Sequence, residues 1–84
     1  MDDLATRFDA AVAASKSLPD KPGNAVLLQI YALYKQATQG DTASERPGFA
    51  DFVGRAKWDA WHELAGIAAD DAKQRYIALI NSLR

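Results

Sequence analysis

The chain has 84 residues, with 10 lysines and arginines against 11 aspartates and glutamates and a formal net charge of -1. That length fits one domain, residues 1–84, and leaves no room for a separate catalytic domain, while the balanced charge excludes a general nucleic-acid binder. The absence of cysteine excludes a disulfide scaffold, a thiolate metal site and a cysteine nucleophile, and it suits a reducing, cytoplasmic setting.

The acidic start, Met1-Asp2-Asp3, is followed by no apolar h-region, so no secretory signal is expected. No apolar run approaches the roughly 18 to 20 residues of a membrane span, so a soluble protein is expected. Alanine is abundant and strict apolar-polar alternation is nearly absent, which favours helices over strands.

The first helix is predicted from about Asp3 to Ser17, with Leu4, Phe8, Ala11 and Val12 on one stripe. Asp2 and Asp3 suit the positive end of its dipole. Pro19 and Pro22-Gly23 then break the chain. The second helix is predicted from about Asn24, a candidate N-cap, to Thr38, with Gly40 as its stop. Leu27, Ile30, Tyr31, Tyr34 and Ala37 make a wide apolar face, extended by Val26 and Leu33, so this helix is expected to be contacted from two sides.

Gly40 to Gly48 reads as a loop, long for a small bundle, that packs on the body of the protein or crosses it. The third helix is predicted from about Asp51 to Ala65, ending at Gly66, with Trp58, Trp61 and Ala65 on one face. The fourth runs from about Asp70 to Leu83 on the stripe Ala72, Tyr76, Leu79, Ile80 and Leu83. Asp70 and Asp71 suit its first turn, but Ala68 and Ala69 offer no side-chain cap. Four amphipathic helices with one long crossover make an all-α bundle.

No feature supports catalysis. His62 is the one histidine, too few for a metal site, and it is expected on the helix surface. The serines lie in no nucleophile-elbow pattern, and neither a GxxxxGK[ST] nor a GxGxxG sequence occurs. More informative are Tyr31 and Lys35, spaced i, i+4 and therefore on one helix face, with Tyr34 three positions after Tyr31. An ammonium beside a phenol can clamp a phosphate; by spacing alone the pair also fits a core tyrosine and a solvated lysine. Arg55 and Lys57 precede Trp58, whose ring, like that of Trp61, is large enough to fill a core. Such a surface suits an anionic ligand with an apolar tail.

Tyr31 to Asp41 reads YALYKQATQGD, Glu45 to Phe52 reads ERPGFADF, and Ala56 to Trp61 reads AKWDAW. In this order and spacing, with Tyr76 in DDAKQRYIALI, the chain resembles the acyl-CoA-binding protein family from Phe8 to Leu83. The resemblance implies an up-down-down-up four-helix bundle with a bowl-shaped site and no catalysis. It implies binding, buffering and intracellular transport of medium- and long-chain fatty acyl-CoA esters. Lipid enzymes that use acyl-CoA would be partners, and the carrier would be a cytoplasmic monomer without cofactor. Carried over, Tyr31, Lys35 and Lys57 would hold the nucleotide 3′-phosphate, and Tyr76 would contact the adenine-ribose end. Lys16 would approach the phosphates, Leu27 and Leu28 would line the acyl groove, and Tyr34 would complete the ligand-binding set. Val53 stands where many members carry lysine, and Phe49 where others carry a smaller or more flexible residue. A helical protein-protein interaction module that has lost the ligand is the rival reading.

Overall fold

A computed structural model describes residues 3–84. Its helices are α1 (Leu4–Ser15), α2 (Asn24–Gln39), α3 (Phe52–His62) and α4 (Ala69–Leu83), and no strand occurs among the described residues. The predicted Asp2 contribution to the first helix lies outside them.

The predicted boundaries shift for identifiable reasons. Asp3 caps α1, its carboxylate accepting from the Thr6 backbone N–H at 2.7 Å. The helix stops at Ser15, two residues early, where Lys16 and Ser17 tighten into i→i−3 hydrogen bonds. Asn24 is not the N-cap of α2. It is the first helical residue, because extended Gly23 already supplies the carbonyl that accepts from Leu27 N–H at 3.0 Å. Asp51 caps α3 rather than joining it, accepting from Gly54 N–H at 2.9 Å. α3 ends at His62, because Leu64, Ala65 and Ile67 continue in i→i−3 turns that close at Gly66 with φ 89°. α4 starts uncapped at Ala68, as its sequence implies, with Asp70 and Asp71 in the first turn.

The helix backbones approach one another in three pairs: α3 with α2, α2 with α4, and α4 with α1. This row gives a flattened body with principal extents of 45 × 29 × 14 Å. Their directions follow from who meets whom. Leu27 and Leu28, early in α2, share a groove with Phe52 and Val53, early in α3. At the other end, the Trp61 indole N–H near the end of α3 donates to Gly40 carbonyl after α2, at 2.8 Å. α2 and α3 are therefore parallel. Gln36, late in α2, donates to Ile67 carbonyl just before α4, so those two are antiparallel. Thr6 and Arg7 lie by Ile77, and Ala13 and Ala14 by Arg84, so α1 and α4 are parallel. The result is an up-down-down-up bundle.

Parallel neighbours cannot be joined by a short turn. The segment between α2 and α3 must return along α3, which explains the long loop. Trp58 N–H donates to Ser44 carbonyl at 3.0 Å, and Arg46 grips Asp59 through two hydrogen bonds of 2.8 Å. The crossover thus packs on the body as expected, fastened to α3. Gly40, where it departs, has φ 77° and ψ -153°, a conformation essentially restricted to glycine.

The core comes from α1, α2 and α4: Phe8, Ala11, Leu33, Ala37, Ala72, Tyr76, Ile77 and Ile80. α3 buries no residue. Trp58 and Trp61 are only half-buried and Ala65 is exposed, so the predicted face of α3 fastens the crossover rather than filling the core. Ile80 is fully enclosed. Ile80→Ala is expected to cost about 2–5 kcal/mol in a urea titration, by lost transfer and a residual cavity. Phe49→Ala, at an exposed position, should change stability by no more than about 0.5 kcal/mol.

Candidate functional site

Two faces of α2 do different work. Leu33, Gln36 and Ala37 turn into the core, while Leu27, Leu28 and Tyr31 turn toward α3. Between the N-terminal halves of α2 and α3 lies an apolar groove of about 400 Å³. Asn24, Leu27, Leu28 and Tyr31 form one wall, and Phe52, Val53, Ala56 and Lys57 form the other.

Cations gather around Tyr31. Lys57 Nζ lies 5.3 Å from the Tyr31 ring centroid and Lys35 Nζ lies 5.8 Å from it. Lys35 Nζ also stands 5.6 Å from the Trp61 ring. Aromatic faces attract cations at these distances, which holds both ammonium groups here despite their mutual repulsion. Neither has a carboxylate partner: among the described residues the one ion pair is Arg46–Asp59. The groove therefore offers an apolar floor with two uncompensated positive charges at one end.

The remaining predicted residues are not all in this groove. Tyr34 stacks on Phe8 at 6.1 Å and lies 6.3 Å from Tyr76, while Phe8 and Tyr76 meet edge-on at 5.1 Å. Tyr34 is partly exposed, but Tyr76 is only 2% exposed, so its ring stands in the core. Lys73 Nζ lies 6.0 Å from the Phe8 ring, adding a cation at this cluster. Lys16 is exposed at the end of α1, which packs on α4, and it does not line the groove. His62 is exposed and stacks on Trp58 at 4.6 Å. No group of three or more His, Cys, Asp or Glu among the described residues is placed to hold a metal.

Sequence reasoning passed over Asn24, Phe52 and Ala56 as lining residues and treated Trp61 as core filling. Counting back from Tyr31 and Lys57 by four would have found Leu27 and Val53 on the same walls, but only with α2 and α3 known to be parallel. It also passed over a polar clamp. Gln36 Nε2 donates to Asp41 Oδ1 and to Ile67 carbonyl, both at 2.8 Å, and Gly66 N–H donates to Asp41 at 2.9 Å. The clamp ties the end of α2 to the turn between α3 and α4.

A row of four helices with an apolar groove and a cationic edge defines a small binding domain rather than a catalytic one. Residues 5–80 match the family described as "ACBP: Acyl CoA binding protein". Acyl-CoA-binding protein homolog 1 of Caenorhabditis elegans is 49% identical over 76 residues, 90% of this chain and 88% of that protein. Enoyl-CoA delta isomerase 2 of Rattus norvegicus is 47% identical over 76 residues, 90% of this chain but 19% of that protein. The crystal structure of acyl-CoA-binding protein 2 from Oryza sativa superposes with a TM-score of 0.92 at 37% identity, covering 96% of this chain and 90% of that one. The chain belongs to the acyl-CoA-binding protein family.

The Gln36 amide, with the Gly66 N–H, holds the Asp41 carboxyl below its ordinary value of 3.8, and Arg46 does the same to Asp59. A depressed carboxylate contributes stability above its unfolded pKa and loses it as pH falls through the folded value. The thermal midpoint should therefore fall as pH drops below about 4. In circular-dichroism melts Asp41→Asn, which keeps an acceptor but cannot titrate, should start lower at neutral pH and lose less on acidification.

Proposed function

We propose that this protein binds medium- and long-chain fatty acyl-CoA esters reversibly, buffers them and carries them between acyl-CoA-using lipid enzymes, without making or breaking a bond. The observation that carries the reading is the pair of unpaired ammonium groups, Lys35 and Lys57, over Tyr31 at one end of an apolar groove. A ribose 3′-phosphate is nearly dianionic, and two lysines balance it. Charge-assisted hydrogen bonds of this kind are about twice as strong as neutral ones.

Leu27 and Leu28 offer apolar wall to the acyl tail, which gains about 0.8 kcal/mol for each methylene buried. Several methylenes thus outweigh a single polar contact, so the ester binds better than free coenzyme A. Tyr34, partly exposed beside Phe8, suits the flat adenine. Tyr76 reaches the adenine-ribose end from behind that cluster, by its edge rather than its covered face. Lys16 acts at longer range, drawing the ligand's phosphates from the end of α1.

No helix among the described residues is long and apolar enough to cross a membrane. A cytoplasmic monomer, folding residues 1–84 as one acyl-CoA-binding domain, fits that and the family match. The match and the presence of Tyr31, Lys35 and Lys57 weigh against an interaction module that has lost its ligand.

Isothermal titration with palmitoyl-CoA should give tight one-to-one binding, with free coenzyme A and palmitate far weaker. Lys35→Ala and Lys57→Ala should each weaken the ester about tenfold or more. Unchanged affinity in both variants would sink the assignment of the phosphate to this pair, and no binding at any chain length would sink the carrier reading.

A further inference from the structure

Two residues of the groove wall are far more exposed than a wall needs. Phe52 is 79% exposed and Val53 is 66% exposed, although both line the groove opposite Leu27 and Leu28. Exposed apolar surface of this size on a small domain calls for something to cover it. The groove has direction: Lys57 lies four residues beyond Val53 on α3, about 6 Å along the axis at the helical rise. The cationic end and the bare apolar end are thus separated along α3. An amphiphile whose anionic group sits at Lys35 and Lys57 can lay its apolar end over Phe52 and Val53.

We infer that Phe52 and Val53 form the distal floor of the acyl groove, and that they set the protein's preference for long tails by covering methylenes that Leu27 and Leu28 do not reach. The inference rests on the acyl-CoA reading above. Phe49, one turn earlier, supplies an internal control. It is 85% exposed and apolar, but it stands outside the groove lining, with the Arg55 guanidinium 4.9 Å from its ring.

A methylene covered on one side only gains about half of complete burial, which is about 2-fold in affinity. Affinities for dodecanoyl-, hexadecanoyl- and eicosanoyl-CoA, measured below micellar concentrations by titration calorimetry, should therefore keep rising by about that factor per carbon past hexadecanoyl. Val53→Lys and Phe52→Ser should flatten this rise, while Phe49→Ser should keep it. The slope is the readout because a new lysine near the coenzyme shifts all three esters together. Far-UV circular dichroism confirms that each variant is folded.

A wild-type profile already flat past hexadecanoyl, a Val53→Lys profile that keeps the rise, or equal flattening by Phe49→Ser would each overturn the inference. So would co-sedimentation of the free protein with phosphatidylglycerol vesicles that Val53→Lys abolishes while the slope persists, which assigns the surface to a bilayer. Absence of binding to dodecanoyl- and hexadecanoyl-CoA alike marks failure of the acyl-CoA reading itself.

Discussion

α3 buries no side chain, yet it forms one whole wall of the groove. What holds it in place is the returning crossover: two indole N–H groups on Gly40 and Ser44 carbonyls, and the two-pronged grip of Arg46 on Asp59. The crossover exists because α2 and α3 are parallel, and they must be parallel for Tyr31 and Lys57 to meet at the same level. Directional hydrogen bonds fix a position more tightly than the small apolar contact of an amphipathic helix can. The two tryptophans thereby serve geometry twice, since Trp61 also presents its ring to Lys35.

The same economy appears in the electrostatics. Two lysines close to one tyrosine repel each other, and a nearby carboxylate would relieve them. The structure keeps its carboxylates elsewhere: Asp59 is occupied by Arg46, and Asp41 by Gln36 and Gly66. The ring quadrupoles of Tyr31 and Trp61 do the holding, without cancelling the charge. An arriving phosphate meets donors already in place and displaces no competing anion.

Much of this was readable from the residues, and the gaps have physical causes. Helix number and core stripes follow from 3.6-residue periodicity, which is why Phe8, Ala11, Ala72 and Ile80 fall where their spacing predicts. The Tyr31–Lys35 pair is local to one helix and visible from i, i+4 alone. Lys57 enters through resemblance, because its meeting with Tyr31 depends on the relative direction of two helices, which no local pattern encodes. Tryptophan size suggested core filling, whereas indole N–H groups half-buried on a crossover are set by tertiary context. Asn24 has the chemistry of a cap, but the extended backbone of Gly23 takes that place. Gln36 and Asp41 stood in plain view within one motif, and their partner Gly66 lies 25 residues beyond Asp41 in the chain.

The division between a buried three-helix core and an α3 held by the crossover has a consequence for motion. Separating α3 from the rest breaks a handful of exposed hydrogen bonds and uncovers no core residue. Such a partial opening needs less free energy than global unfolding. Amide protons of α3 are thus free to exchange through this lesser event, while those of α2 and α4 wait for the whole molecule to unfold. The molecule has two tiers of cooperativity, and the groove lies on the seam between them.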